Sequence, residues 1–286
     1  MNLYHYTSLE GLYGILRSNS MWATHLSYLN DINEFLHGFE CIREAIPILE
    51  GNGKIHQTWF SAFTDYMLKI QDISELDYYI TCFCMHDDLL SQWRGYSKSK
   101  QGVCLEFDEL SIQCFFASRE FEKIKSDDGN YYDHARFKFS CKKVEYIGQK
   151  DGVHAATYLE KNICEQLLII DDFKDNERAR NGVIRNILNH HIPILKNIAF
   201  KEEGEYRMIA YELRDPDEVH YRHNDKYFIP YMRLRHSDET KKIPIKKITI
   251  GPSSNAELTR KSILSLLRSI GRPDIQVTLS KIPYRE

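Results

Sequence analysis

No stretch of 18 or more apolar residues occurs in the 286-residue chain, so no segment is expected to cross a membrane as a helix. The chain does not open with a basic stretch followed by an apolar core, and no signal peptide is expected. Excess charge is missing too: a formal net charge of −3 gives no reason for a sequence-independent grip on nucleic acid. Tryptophan is scarce at 3 copies, whereas tyrosine reaches 18, a balance that suits surfaces stacking on flat ligands. The 7 cysteines are scattered and odd in number, which points to reduced thiols in a cytoplasmic protein rather than a disulfide framework. Cys82-x-Cys84 with His86 just beyond lacks the second pair a zinc site needs, and two packed thiols on one strand face is the plainer reading. No internal repeat, low-complexity tract or linker demands a second domain.

Residues 2–6 are rich in β-formers, and Thr7 with Glu10 has the form of a capping box. Leu9, Leu12, Ile15 and Leu16 then recur at helical spacing, so His5 lies at a strand-to-helix junction, where backbone N–H groups hold anions and ligand amides. A strand at 21–24 follows, and Asp31 with Glu34 has N-cap and N3 spacing for a helix over about 31–48. A second helical stretch covers about 54–72. DYYITCFCM and QGVCLEF read as strands separated by a polar loop carrying Trp93 and Tyr96. ARFKFSCKKVEYI reads as an amphipathic strand, and 155–199 as mostly helical. Residues 205–212 alternate as a strand entered through a loop at 201–204. The tail reads as a strand, a turn at Gly251-Pro252, a helix over 255–269 and a final strand, the length of a strand–helix–strand crossover. Gly251-Pro252-Ser253 fails the spacing of the glycine-rich phosphate loops and is read as a helix-start turn. The expected architecture is α+β, one domain over 1–286 with helical insertions at about 31–75 and 155–199.

LYHYTS near the start, NDxxEF after it, WxxY followed by GVCLEF, then GEYR, ITIGP and SKIPYR resemble, in this order, the bacterial domain-of-unknown-function 2971 family. That family is in turn distantly similar to the ADP-ribosyltransferase fold. The resemblance implies a split β-sheet core and NAD as substrate. His5-Tyr6-Thr7 looks like the histidine element of the first strand in that fold. Tyr96, with Trp93 as substitute, is the nearest match to the aromatic residue that stacks on nicotinamide. Glu203 or Glu205 could supply the late glutamate. Asn30 and Asp31 match a family hallmark, read either as part of a helix cap or as the lip of the nucleotide site. The resemblance further implies a toxin or phage-defence effector, with an antitoxin or regulatory protein as a partner.

The chemistry asks for these residue types. Cleaving the nicotinamide–ribose bond spreads positive charge over the ribose, which a nearby carboxylate stabilises. A histidine nitrogen can hold a ribose hydroxyl, and an aromatic ring orients the nicotinamide. Arg207 beside Glu205 would keep the carboxylate ionised, although a plain ion pair on one strand face explains the two equally well. The expected function is therefore an NAD-dependent ADP-ribosyltransferase or NAD glycohydrolase, with a macromolecule or water as acceptor. The alternative is a non-catalytic nucleotide- or partner-sensing module on the same fold. A thiol or metal enzyme using Cys82, Cys84 and His86 is a third, more distant option.

Overall fold

The first helix is capped by Ser8, not by Thr7. Ser8 has extended backbone and its Oγ accepts the Gly11 N–H at 3.1 Å. Thr7 is taken up by the strand, where it pairs with Val103, so the cap moves one residue on. The helix then lies tightly against Thr7: a Cβ on Gly11 would sit 2.1 Å from Thr7 Oγ1.

The structure, a computed structural model, describes residues 1–29, 33–69, 78–96, 101–118, 121–125, 131–148, 151–164, 176–213 and 216–283. In chain order it runs β1 (Asn2–Ser8), α1 (Leu9–Ser18), β2 (Met21–His25), α2 (Asn33–Gly51), α3 (Gln57–Lys69) and β3 (Tyr78–Cys84). Next come α4 (Leu90–Tyr96), β4 (Gly102–Asp108), α5 (Glu109–Ala117), β5 (Phe121–Lys125), β6 (Tyr131–Ala135), β7 (Lys138–Lys143) and β8 (Glu145–Ile147). They are followed by α6 (Gly152–Leu159), α7 (Glu177–His191), β9 (Leu195–Asn197) and β10 (Glu205–Tyr211). The tail holds β11 (Val219–His223), β12 (Phe228–Leu234), β13 (Ile245–Ile250), α8 (Ala256–Ser269) and β14 (Gln276–Leu279). Among the described residues no helix is long and apolar enough to cross a membrane.

The chain forms two compact units. The larger comprises 1–24, 79–141 and 203–286. Its mostly antiparallel sheet has the order β11-β12-β2-β3-β1-β4-β13-β14, and it branches at β3, which also pairs β10; β10 in turn pairs β7. β1 and β4 pair along their whole length, from Asn2↔Asp108 to Ser8↔Gly102. β13 and β14 run parallel with α8 between them, as the spacing of the tail requires.

Alternation sorts the side chains of this sheet. Leu3, Val103, Leu105 and Phe107 join Phe83, Tyr206, Met208 and Ala210 in the main core, with Ile263 and Leu267 of α8. The opposite residues of β1 and its neighbours, Tyr6, Cys84 and Cys104, form a second small cluster with Trp93, against which Ile282 packs.

The smaller unit comprises 25–78 and 142–202 and contains both stretches read as helical insertions. Here α2 buries Ile42, Ala45, Ile46 and Leu49, and β8 pairs β9 in parallel. The single strand read in ARFKFSCKKVEYI is two: β7 belongs to the main sheet, and the chain passes Val144 into β8 and the smaller unit's ladder. Residues 155–199 are not helical to the end, because Leu195–Asn197 supplies β9.

Candidate functional site

β3 is the meeting place. On one side it pairs β1 at Tyr4↔Cys84. His5 Nδ1–H donates to the Cys82 carbonyl at 2.9 Å, and its ring packs 5.6 Å from Phe83. Burial pulls the His5 pKa below its ordinary value, so the ring is neutral at pH 7 and the Nδ1–H bond leaves Nε2 as an acceptor.

At the same end of this strand arrives the turn before β10. Cys84 Sγ–H donates to the Glu203 carbonyl at 2.9 Å, and the Met85 N–H donates to the Gly204 carbonyl at 2.8 Å. Gly204 is required here twice over. Its φ is +50°, in the left-handed region that favours glycine, and a Cβ would lie 2.6 Å from His86 Cδ2. Glu203 is half-buried on this turn. Burial, backed by the charges of Glu203, Glu205 and Asp87, pushes the Cys84 thiol up to about 11. It is thus a protonated, packed thiol rather than a nucleophile. Among the described residues no group of three or more His, Cys, Asp or Glu side chains could hold a metal ion.

Glu205 and Arg207 open β10 side by side. Their neighbours Tyr206 and Met208 enter the main core, so alternation turns Glu205 and Arg207 to the other side. Arg207 Nε and Nη2 donate to Glu205 Oε1 and Oε2 at 2.8 and 3.0 Å. The carboxylate and the guanidinium are only 5% and 3% exposed. Both oxygens of Glu205 are therefore occupied, while Glu203 keeps access to solvent.

Tyr6 and Trp93 occupy the second cluster, away from His5. Their rings meet edge-on at 4.9 Å. Tyr6 OH accepts from the Leu89 N–H at 2.9 Å and donates to the His86 carbonyl at 3.2 Å. Trp93 Nε1–H donates to Asp88 Oδ1 at 2.8 Å, and Asp88 also takes the Ser280 hydroxyl at 2.5 Å and the Lys281 N–H at 2.7 Å. At 2% exposure Trp93 is a packed ring, wedged against Gly251, where a Cβ would fall 2.7 Å from its Cε3. Tyr96 is the last residue of α4. Asn30 and Asp31 lie outside the described residues.

Of the expected residues, His5, Glu203, Glu205 and Arg207 all border β3, but His5 lies on the main-core face beside Phe83 while Glu205 and Arg207 lie on the opposite face; Tyr6 with Trp93 lies in the second cluster. Thr7 lies under α1. Asp88 and Gly204 were not foreseen as site residues, and His86 was read only beside Cys82 and Cys84; Gly204, between two glutamates at a strand entry, carries a local signal of a special backbone. An open depression of about 920 Å³ in the smaller unit, lined by Tyr66, Asn181, Arg178 and Arg185 among others, includes none of the expected residues.

The family comparison covers the centre of this arrangement. Residues 92–208 match a family described as "Protein of unknown function (DUF2971)". Over this segment the chain is similar to the DUF2971 family. The DUF2971 segment runs from α4 through β10 and so contains Trp93, Tyr96, Glu203, Glu205 and Arg207, whereas His5, Tyr6 and Thr7 precede it. No curated protein and no solved structure matches the chain.

Proposed function

We propose that the chain breaks the nicotinamide–ribose bond of NAD and passes the ADP-ribose to a macromolecule or to water. One observation carries the reading: His5 and the Glu203–Gly204 turn engage the same short strand at Cys82 and at Cys84. Two residues of strand span about 7 Å, so an imidazole from the start of the sequence and a carboxylate-bearing turn from its last third are anchored at neighbouring points of β3. The branching of the sheet at β3 supports the split-sheet comparison with ADP-ribosyltransferases.

In this reading the bond between ribose C1′ and the nicotinamide nitrogen breaks, and its electron pair leaves with nicotinamide. The acceptor's lone pair forms the new bond to C1′, and the acceptor proton passes to a carboxylate or to solvent. Glu203, half-buried on the turn before β10, is the carboxylate assigned to the cationic ribose. Glu205, clasped by Arg207, holds the start of β10. Neutral His5 accepts a ribose hydroxyl at Nε2. Trp93 is sealed in its cluster, and nicotinamide stacking stays with Tyr96 as the resemblance assigns it.

A second reading, a module that senses a nucleotide or partner without turning it over, is favoured by the closure of both Glu205 oxygens. One experiment separates the two: nicotinamide release from NAD by the purified protein, beside Glu203→Gln and Glu205→Gln variants, with protein, RNA and DNA offered as acceptors. Release that Glu203→Gln abolishes while its fold persists supports the assignment. Release retained by both variants removes these glutamates from the chemistry. Saturable NAD binding without release selects the sensing module.

A further inference from the structure

Two of the three tryptophans, Trp59 and Trp93, are sealed in the interior. Trp22 is half-buried, and its indole Nε1–H has no acceptor. It stands on β2 directly across from Arg233 of β12, with Tyr231 opposite Thr24 on the same face. The intervening residues of these strands, Ala23, Met232 and Leu234, enter the main core. β11 brings a second guanidinium to this face: Arg222 lies 5.8 Å from the centre of the Trp22 ring and donates through Nη2 to Thr24 Oγ1 at 3.0 Å. Arg233 donates through Nη2 to the Tyr231 hydroxyl at 3.4 Å.

Packing alone leaves two features of this face unexplained. The Nε–H of Arg222 and that of Arg233 are buried without an acceptor, so with Trp22 Nε1 three orphaned donors surround one indole. Buried donors are nearly always paired, because each that is not has given up water for nothing. Nor does either guanidinium have a carboxylate partner among the described residues, whereas Arg136, Arg207 and Arg272 each hold one. For Arg222, burial works against the charge, and only Tyr231 acts in its favour. Two guanidiniums on one sheet face without a carboxylate partner, each with an unused Nε–H donor, are complementary to a ligand rather than to the protein.

We infer that this face of β2, β11 and β12 is an oxyanion site that takes the phosphate group of a small phosphorylated ligand between Arg222 and Arg233. The side-by-side Nε–H and Nη–H donors of a guanidinium match two oxygens of a phosphate, the geometry Arg207 already uses on Glu205. The Thr24 and Tyr231 hydroxyls, which now accept from the arginine arms, can turn to donate to the same oxygens. The indole N–H supplies a further donor. The site does not depend on NAD cleavage.

Because Trp22 is the least buried of the three tryptophans, the test is optical and calorimetric. The full chain is titrated with inorganic phosphate and, separately, with ADP at constant ionic strength, following tryptophan emission and heat. Saturable binding is expected in both readouts, with Trp22→Phe losing the optical signal and, its indole donor gone, binding more weakly in the calorimeter. The Arg222→Lys/Arg233→Lys variant keeps both charges and loses both Nε donors; it is expected to bind roughly ten-fold more weakly or worse. Circular dichroism and thermal unfolding check its fold. Equal affinity for phosphate and ADP assigns the site to the phosphate alone, and tighter ADP binding adds the nucleoside; either result supports it. No saturable binding of either probe, or undiminished binding by the folded double-lysine variant, overturns it.

Discussion

Arg207 closes both carboxylate oxygens of Glu205, at 2.8 and 3.0 Å, from two residues further along the same strand. The pair is almost wholly withdrawn from water, so neither charge tolerates loss of the other. Arg207→Met is expected to cost about 3–5 kcal/mol, because it leaves a buried carboxylate alone. Adding Glu205→Met should recover most of that loss. Urea midpoints of the single and double variants measure both effects, and a double variant no more stable than Arg207→Met would refute the account.

His191 supplies a pH dependence. It is buried with Tyr158 OH 2.8 Å from its Nδ1, and burial, reinforced by Lys142 and His190, lowers its pKa to about 3. The unfolded imidazole titrates near 6.5, so below that pH the unfolded chain binds the proton and the folded chain refuses it. Stability is complete above about pH 6.5 and falls as the pH drops toward 3, by about 2 kcal/mol at about pH 5. Urea denaturation across this range should show the decline for the wild type and a flatter profile for His191→Gln.

Gly204 and Gly53 both have positive φ, at +50° and +67°, yet only Gly204 has a ring against the missing Cβ. Gly53→Ala should cost about 1 kcal/mol, the backbone penalty alone. Gly204→Ala must also displace His86 and is expected to cost about 1–3 kcal/mol. It should also lower nicotinamide release, since the turn carries Glu203. Thermal unfolding of the two variants side by side reads the difference.

Asp88 gathers the Trp93 indole, the Ser280 hydroxyl and the Lys281 N–H on one carboxylate. Asp88→Ala orphans the buried indole N–H, at a cost of about 1–3 kcal/mol. It also unties residues 280–282 from the Tyr6–Trp93 cluster. Limited proteolysis should then cut near residue 280 before any other site, while the wild type resists there.

The strands that border the candidate site were legible because each carries its own pattern. Val103, Leu105 and Phe107 alternate, Tyr206, Met208 and Ala210 alternate, and the tail has the length of a crossover. Register was not legible. Thr7 and Ser8 are equally good caps in isolation, and the helix starts from Ser8, the last residue of β1, whose Oγ takes the Gly11 N–H. The closure of Glu205 by Arg207 follows from a one-residue gap that the sequence shows, but its near-complete burial comes from β3 and β7 on either side. Arg222 and Arg233 reach Trp22 from about two hundred residues away, and no local pattern announces that meeting.

The order of synthesis separates the two compact units. The smaller is complete once residue 202 has been made, whereas the larger still lacks β10, the β11–β12 hairpin and the closing crossover. β1, with its imidazole, must wait about 200 residues of synthesis before the strand bearing Glu205 and Arg207 exists. At residue 202 every residue of the helical unit has been made, while the larger unit's sheet still lacks the strand that carries the buried ion pair.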